Sequence, residues 1–177
     1  MPRHHTRWRL SVLGMLAALG IAGASSPAAP SVGAGMVSIK LSVHGAVTER
    51  MTLTHVISIK RTLDFGCAPV QVLGRKDFNV DYNGAALGKA DFSKPGLDLV
   101  VKRYASSKQL YTEAKAITLT LVLRKQAYYG SGYDPRFRPT VIVRAGGHSG
   151  SFRAGSLVAP GHGRVSVVGS WHCDSVG

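Results

Sequence analysis

A period-two alternation of apolar and polar side chains recurs along this chain, and it constrains the fold more than any other feature. It is clearest near the end, where Val165, Val167, Gly169, Trp171 and Cys173 fall on one side and Arg164, Ser166, Ser170 and His172 on the other. Successive side chains of an extended strand point to opposite faces, so such a segment buries one face and wets the other. The same pattern runs through Val37, Ile39, Leu41 and Val43, and through Met51, Leu53, Ile57 and Ile59. It returns in Phe78, Val80 and Tyr82, opposed by Asp77, Asn79 and Asp81, and again in Ile117, Leu119, Leu121 and Leu123. Segments 97–104, 140–145 and 151–157 are further strand candidates. Glycine, proline and an Asn83-Gly84 step punctuate these runs as turns. The pattern predicts an all-β fold, a single antiparallel β-sandwich or open barrel. One segment, Ser107–Ala116, reads as a helix with Ser107 as its cap.

The first residues follow a different logic. Arg3, Arg7 and Arg9 precede the apolar run from Leu10 to Ala22, and Ala22-Gly23-Ala24 follows. A basic start, a short apolar stretch and small residues two apart predict a secretory signal helix over residues 1–24, cleaved after Ala24. The apolar run is shorter than the roughly 20 residues needed to span a bilayer as a helix. Residues 25–36, rich in Ser, Pro, Ala and Gly, read as a flexible tether, and 37–177 as the β domain. Roughly 150 residues remain after cleavage, enough for one core. The expected location is secreted or periplasmic, at the cell envelope.

Export gives the two cysteines, Cys67 and Cys173, their meaning. An oxidising compartment favours pairing. Parity places Leu63, Phe65 and Cys67 on one strand face and Cys173 on the inward face of the last strand, so the two sulfurs are expected to meet in the core. Signal, small-residue tether, early cysteine and the closing strand Gly169-Ser170-Trp171-His172-Cys173 together resemble small secreted bacterial envelope proteins, including the mycobacterial-type 19 kDa antigen lipoproteins. The resemblance implies a disulfide-stapled β-sandwich at the envelope and no catalytic residue. The lipidated cysteine of those lipoproteins has no counterpart here.

The chain carries 22 Lys and Arg against 9 Asp and Glu, a formal charge of +13. Such a field concentrates anionic partners. The basic residues come in scattered pairs such as Lys60-Arg61, Arg75-Lys76, Lys102-Arg103 and Arg124-Lys125, with no run of three, which argues against a nucleic-acid site. The partner expected is an anionic envelope polymer or another envelope protein. The stretch Tyr128-Tyr129-Gly-Ser-Gly-Tyr133-Asp-Pro-Arg136-Phe137-Arg138 has a recognition-like composition: tyrosine supplies flat amphipathic area, and arginine meets phosphate or carboxylate. Tyr128, Tyr129, Tyr133, Arg136 and Arg138 are therefore the candidate binding residues. Against this stands an ordinary hairpin whose rings fold back over the core.

Catalytic and metal patterns are weaker. Gly147-His148-Ser149-Gly150-Ser151 departs from a nucleophile elbow, because Ser151 stands where the second glycine belongs and no helix follows. Asn79, Asp81 and Asn83 match the start of a calcium loop, but Ala90 occupies the position of the closing acid. His148 and His172 are expected near one end of a hairpin, without a third ligand. Glu49, Asp64, Asp98, Glu113 and Asp134 are scattered. The reading is a non-enzymatic binding or structural module without metal or cofactor; its alternative is an extracellular hydrolase acting on polymers.

Overall fold

The computed structural model describes residues 35–57, 65–83 and 91–174. The signal over 1–24, the tether as far as residue 34 and the strand positions Ile59 and Leu63 lie outside the described residues. Eleven strands are described: β1 (Gly35–Gly45), β2 (Glu49–Ile57), β3 (Phe65–Val72), β4 (Arg75–Tyr82), β5 (Gly96–Val101), β6 (Leu110–Tyr111), β7 (Ile117–Leu123), β8 (Gln126–Ser131), β9 (Arg138–Val143), β10 (Ser149–Ala159) and β11 (Gly163–Cys173).

All pairings are antiparallel, in the order β2-β1-β11-β10-β8-β7-β5-β4-β3, with β9 pairing β10 and β6 pairing β9. One sheet therefore runs unbroken from β2 to β3, and it curls so that its apolar alternation faces inward. Val37, Ile39, Leu41 and Val43 of β1 are buried with Val165, Val167 and Trp171 of β11, while Phe78 and Val80 of β4 meet them from the other arm. Phe78 and Trp171 lie 6.0 Å apart by ring centroids. Each large apolar side chain so buried contributes about 1.5–3 kcal/mol.

The curl is fixed covalently. Cys67 of β3 and Cys173 of β11 form a disulfide, with Cα atoms 6.1 Å apart. It joins the edge strand at one end of the order to a strand two places from the other end. A bond of this kind belongs to an oxidising compartment. Cys173 is buried and Cys67 packs against the core, as their parity requires.

A local break in β10 lets it serve two neighbours. Its register against β11 shifts between Ala154 and Leu157, and Ser156 takes a positive φ of 65°. Before the bulge β10 pairs with β9, and after it Val158 pairs with Tyr129 of β8. Strand β9 is thus a continuation of β8 along β10, and residues 132–137 are an excursion between them.

Two expectations are corrected. Ser107–Ala116 is not a helix: Leu110 and Tyr111 pair with Ile142 and Val141 of β9, and only Ala114–Ala116 forms a 3-10 turn. The Tyr111 hydroxyl accepts the Ala105 N–H at 3.2 Å and lies 2.9 Å from the carbonyls of Ala105 and Lys108, which holds the segment in its turn. The polar face of β4 is not solvated either, since Asp77 and Asp81 are both buried.

Candidate functional site

The excursion between β8 and β9 is shaped by close packing. Phe137 is fully buried, and its ring lies so near Gly130 that a Cβ there would fall 2.2 Å from it. Gly132 abuts the 3-10 turn, where a Cβ would meet the Lys115 Cα at 2.6 Å. Only glycine lets the loop backbone approach the turn this closely. That contact carries Tyr133 and Lys115 to the same place.

Register brings the rest of the site together. Thr118 of β7 stands opposite Ser131 of β8, and Val101 of β5 opposite Ile117 of β7. Val101 is turned into the core, so the next residue, Lys102, follows the outer face; its N–H donates to the Ala116 carbonyl at 2.7 Å. A cavity of about 290 Å³ results, lined by Lys102, Lys115, Thr118, Ser131, Gly132 and Tyr133. Lys102 also lines a second cavity, of about 240 Å³, together with Arg103, Lys108, Tyr111, Thr112, Glu113 and Ala116. Between them the two hold four cations and one carboxylate, with hydroxyl donors from Thr118, Ser131 and Thr112.

The five residues singled out from sequence are dispersed. Strand parity turns Tyr128 inward, and it is 2% exposed. Tyr129, the next residue, faces outward on the side of the sheet that carries Thr118 and Ser131. Tyr133 is 98% exposed and lines the larger cavity. Arg136 and Arg138 are exposed and line neither of these cavities. The loop is pinned by Asp134, whose carboxylate accepts the Arg136 N–H at 2.8 Å and pairs with Arg164 at 2.6 Å. Arg164 and the Arg136 N–H hold the Asp134 carboxyl below its ordinary range.

Lys102-Arg103 was visible in the sequence only as a basic pair, and Lys115 stood alone. Their meeting depends on the β5–β7 register and the 3-10 turn, neither of which leaves a local signal.

A second polar cluster sits on the outer face of β4 and β5. Asp77, 2% exposed, takes two hydrogen bonds from the Arg75 guanidinium, at 2.7 and 2.8 Å, and one from the Arg103 N–H at 2.9 Å. The Arg75 bond chiefly holds its carboxyl below the ordinary range. Farther along, Asp81 and Asp98 are directly paired across the strands, with Thr120 of β7 beyond Asp98.

The remaining motifs resolve as structure. The Gly147 carbonyl accepts the Trp171 indole N–H at 3.2 Å in a hairpin turn, not an elbow. Asn83 donates its amide to the Asp91 carbonyl at 3.1 Å. His148 and His172 do lie at one end of β10 and β11, where the His148 carbonyl accepts the Cys173 N–H; the His172 ring is 3.2 Å from Asp174. His55 stands edge-on to Tyr82, ring centroids 6.4 Å apart.

Comparison with known protein families, curated proteins and solved structures finds no match to the chain.

Proposed function

We propose that this protein is an exported binding module of sandwich or open-barrel type, acting in the periplasm or outside the cell and holding an anionic polymer in the paired cavities about Lys102. The observation that carries the reading is that Lys102 lines both cavities, one shared with Lys115 and Tyr133 and the other with Arg103 and Lys108. Several cations lining neighbouring cavities suit a chain of phosphates or carboxylates, because successive repeats can each meet a charge and the hydroxyls supply directional bonds. Tyr133 adds a flat surface for a sugar ring.

Hydrolysis of such a polymer would call for two converging acid–base groups in the groove. Asp81 and Asp98 converge, but neither lines either cavity, and Glu113 is the single carboxylate that does.

Lysine footprinting tests it. In polyphosphate, Lys102, Lys108 and Lys115 should be protected from acetylation while Lys40 and Lys125 remain reactive. Uniform protection of all lysines would reduce the effect to net charge and defeat the assignment.

A further inference from the structure

The hairpin joining β3 to β4 ends in the two-residue turn Leu73-Gly74, with φ of 48° and 76°. Such turns favour Asn or Asp before Gly, because a bulky side chain is strained in the left-handed region. Leu73 nevertheless holds the place, fully exposed at 102%, beside Val72 at 38%. The matching turn between β7 and β8 also takes positive φ at both positions, but there the residues are Arg124 and Lys125. Backbone strain is common to the two tips. What sets the first apart is an apolar side chain where water would select a charged one.

Cations surround that tip. Arg75 and Lys76 follow it directly. The Tyr104 N–H donates to the Lys76 carbonyl at 2.8 Å, and the Arg103 N–H to Asp77, which brings the segment bearing Lys102 and Arg103 beside the turn end of the hairpin. Lys108 lies 5.1 Å over the Tyr111 ring in the same segment. Register puts the start of β4, the end of β5, the start of β7 and the end of β8 at one end of this arm of the sheet, so Tyr133 shares it.

We propose that this end docks on an anionic lipid bilayer, with Leu73 and Val72 entering the headgroup–acyl boundary and Lys76, Arg103 and Lys108 meeting lipid phosphates. An apolar tip within a ring of cations asks for a surface that is apolar beneath and negative on top, which an anionic bilayer is. Tyrosine favours the headgroup level, where Tyr133 would stand.

Sedimentation of the full chain with vesicles provides the test, using phosphatidylcholine alone and phosphatidylcholine mixed with phosphatidylglycerol. Residues 10–22 are common to parent and variants, so differences report on the tip. The parent should favour the anionic vesicles and release with salt. Leu73→Asn should bind them on the order of tenfold or more weakly. Asn is at ease at positive φ, so its melting temperature should equal or exceed the parent's. Lys76→Gln should weaken binding and flatten the salt dependence. Leu73→Trp should be quenched by brominated acyl chains beyond the quenching of the parent, whose Trp8 and Trp171 set the baseline. Equal binding by Leu73→Asn, indifference to lipid charge, or a Leu73→Trp quenched no more than the parent would overturn the proposal. So would vesicle binding that survives Leu73→Asn but fails in Lys102→Ala/Lys115→Ala; that result would leave an anionic ligand in the cavities and remove the bilayer.

Discussion

Asp81 of β4 stands directly opposite Asp98 of β5, and both are buried. Two carboxylates so placed cannot both hold full charge at small cost, because burial and mutual repulsion each favour the neutral form. Burial first, and the Asp81 charge second, push the Asp98 carboxyl up to about 7.

The sign of the pH effect follows from proton uptake. Folded Asp98 keeps its proton up to about 7, whereas in the unfolded chain it releases it near the ordinary 3.8. Between those values the folded state binds more protons, so this contribution to stability is full at the acid end and declines as pH rises toward 7. Melting temperature should fall between about pH 4 and about pH 7, and Asp98→Asn should remove most of that slope. A slope unchanged in Asp98→Asn would show that Asp98 does not hold the proton.

The disulfide closes 106 residues of sequence. In the chain-entropy model, replacing both Cys67 and Cys173 by Ser should cost about 4–5 kcal/mol. Denaturant titration of parent and double variant measures it. A loss below about 1 kcal/mol would mean that the curl of the sheet is held by its core alone.

Gly132 separates the loop's part in binding from its part in folding. Gly132→Ala forces Cβ against the Lys115 backbone and should displace Tyr133 and Lys115 from each other, weakening polyphosphate binding about tenfold while costing about 1–3 kcal/mol of stability. Arg136→Ala/Arg138→Ala leaves the cavity lining intact and should bind almost as the parent does. The reverse ranking would return the site to the arginines.

Much of the fold was legible because strands alternate. The parity of Val165 to Cys173 gave both the inward face and the orientation of the cysteine, and Phe78 and Val80 are buried as their spacing requires. Strand β8 was hidden because Gly130 and Ser131 read as loop residues, whereas Gly130 is where the Phe137 ring packs. The helical reading of Ser107–Ala116 failed because β9 offers Leu110 and Tyr111 a partner that only tertiary structure supplies. The polar face of β4 misled for the same reason: Asp77 is satisfied by Arg75 and by the backbone of Arg103, a contact 26 positions away. Of the residues lining the larger cavity, Tyr133 stood out in the sequence and Lys102 and Lys115 did not, since a cavity between a strand end and a turn has no period.

Titration calorimetry with polyphosphate, on the parent and on Lys102→Ala/Lys115→Ala at low and high salt, tests the central claim most directly. The double variant should bind at least about tenfold more weakly and lose part of its salt dependence, at an unchanged melting temperature. Equal affinity in the two proteins would contradict the assignment of an anionic ligand to the cavities about Lys102.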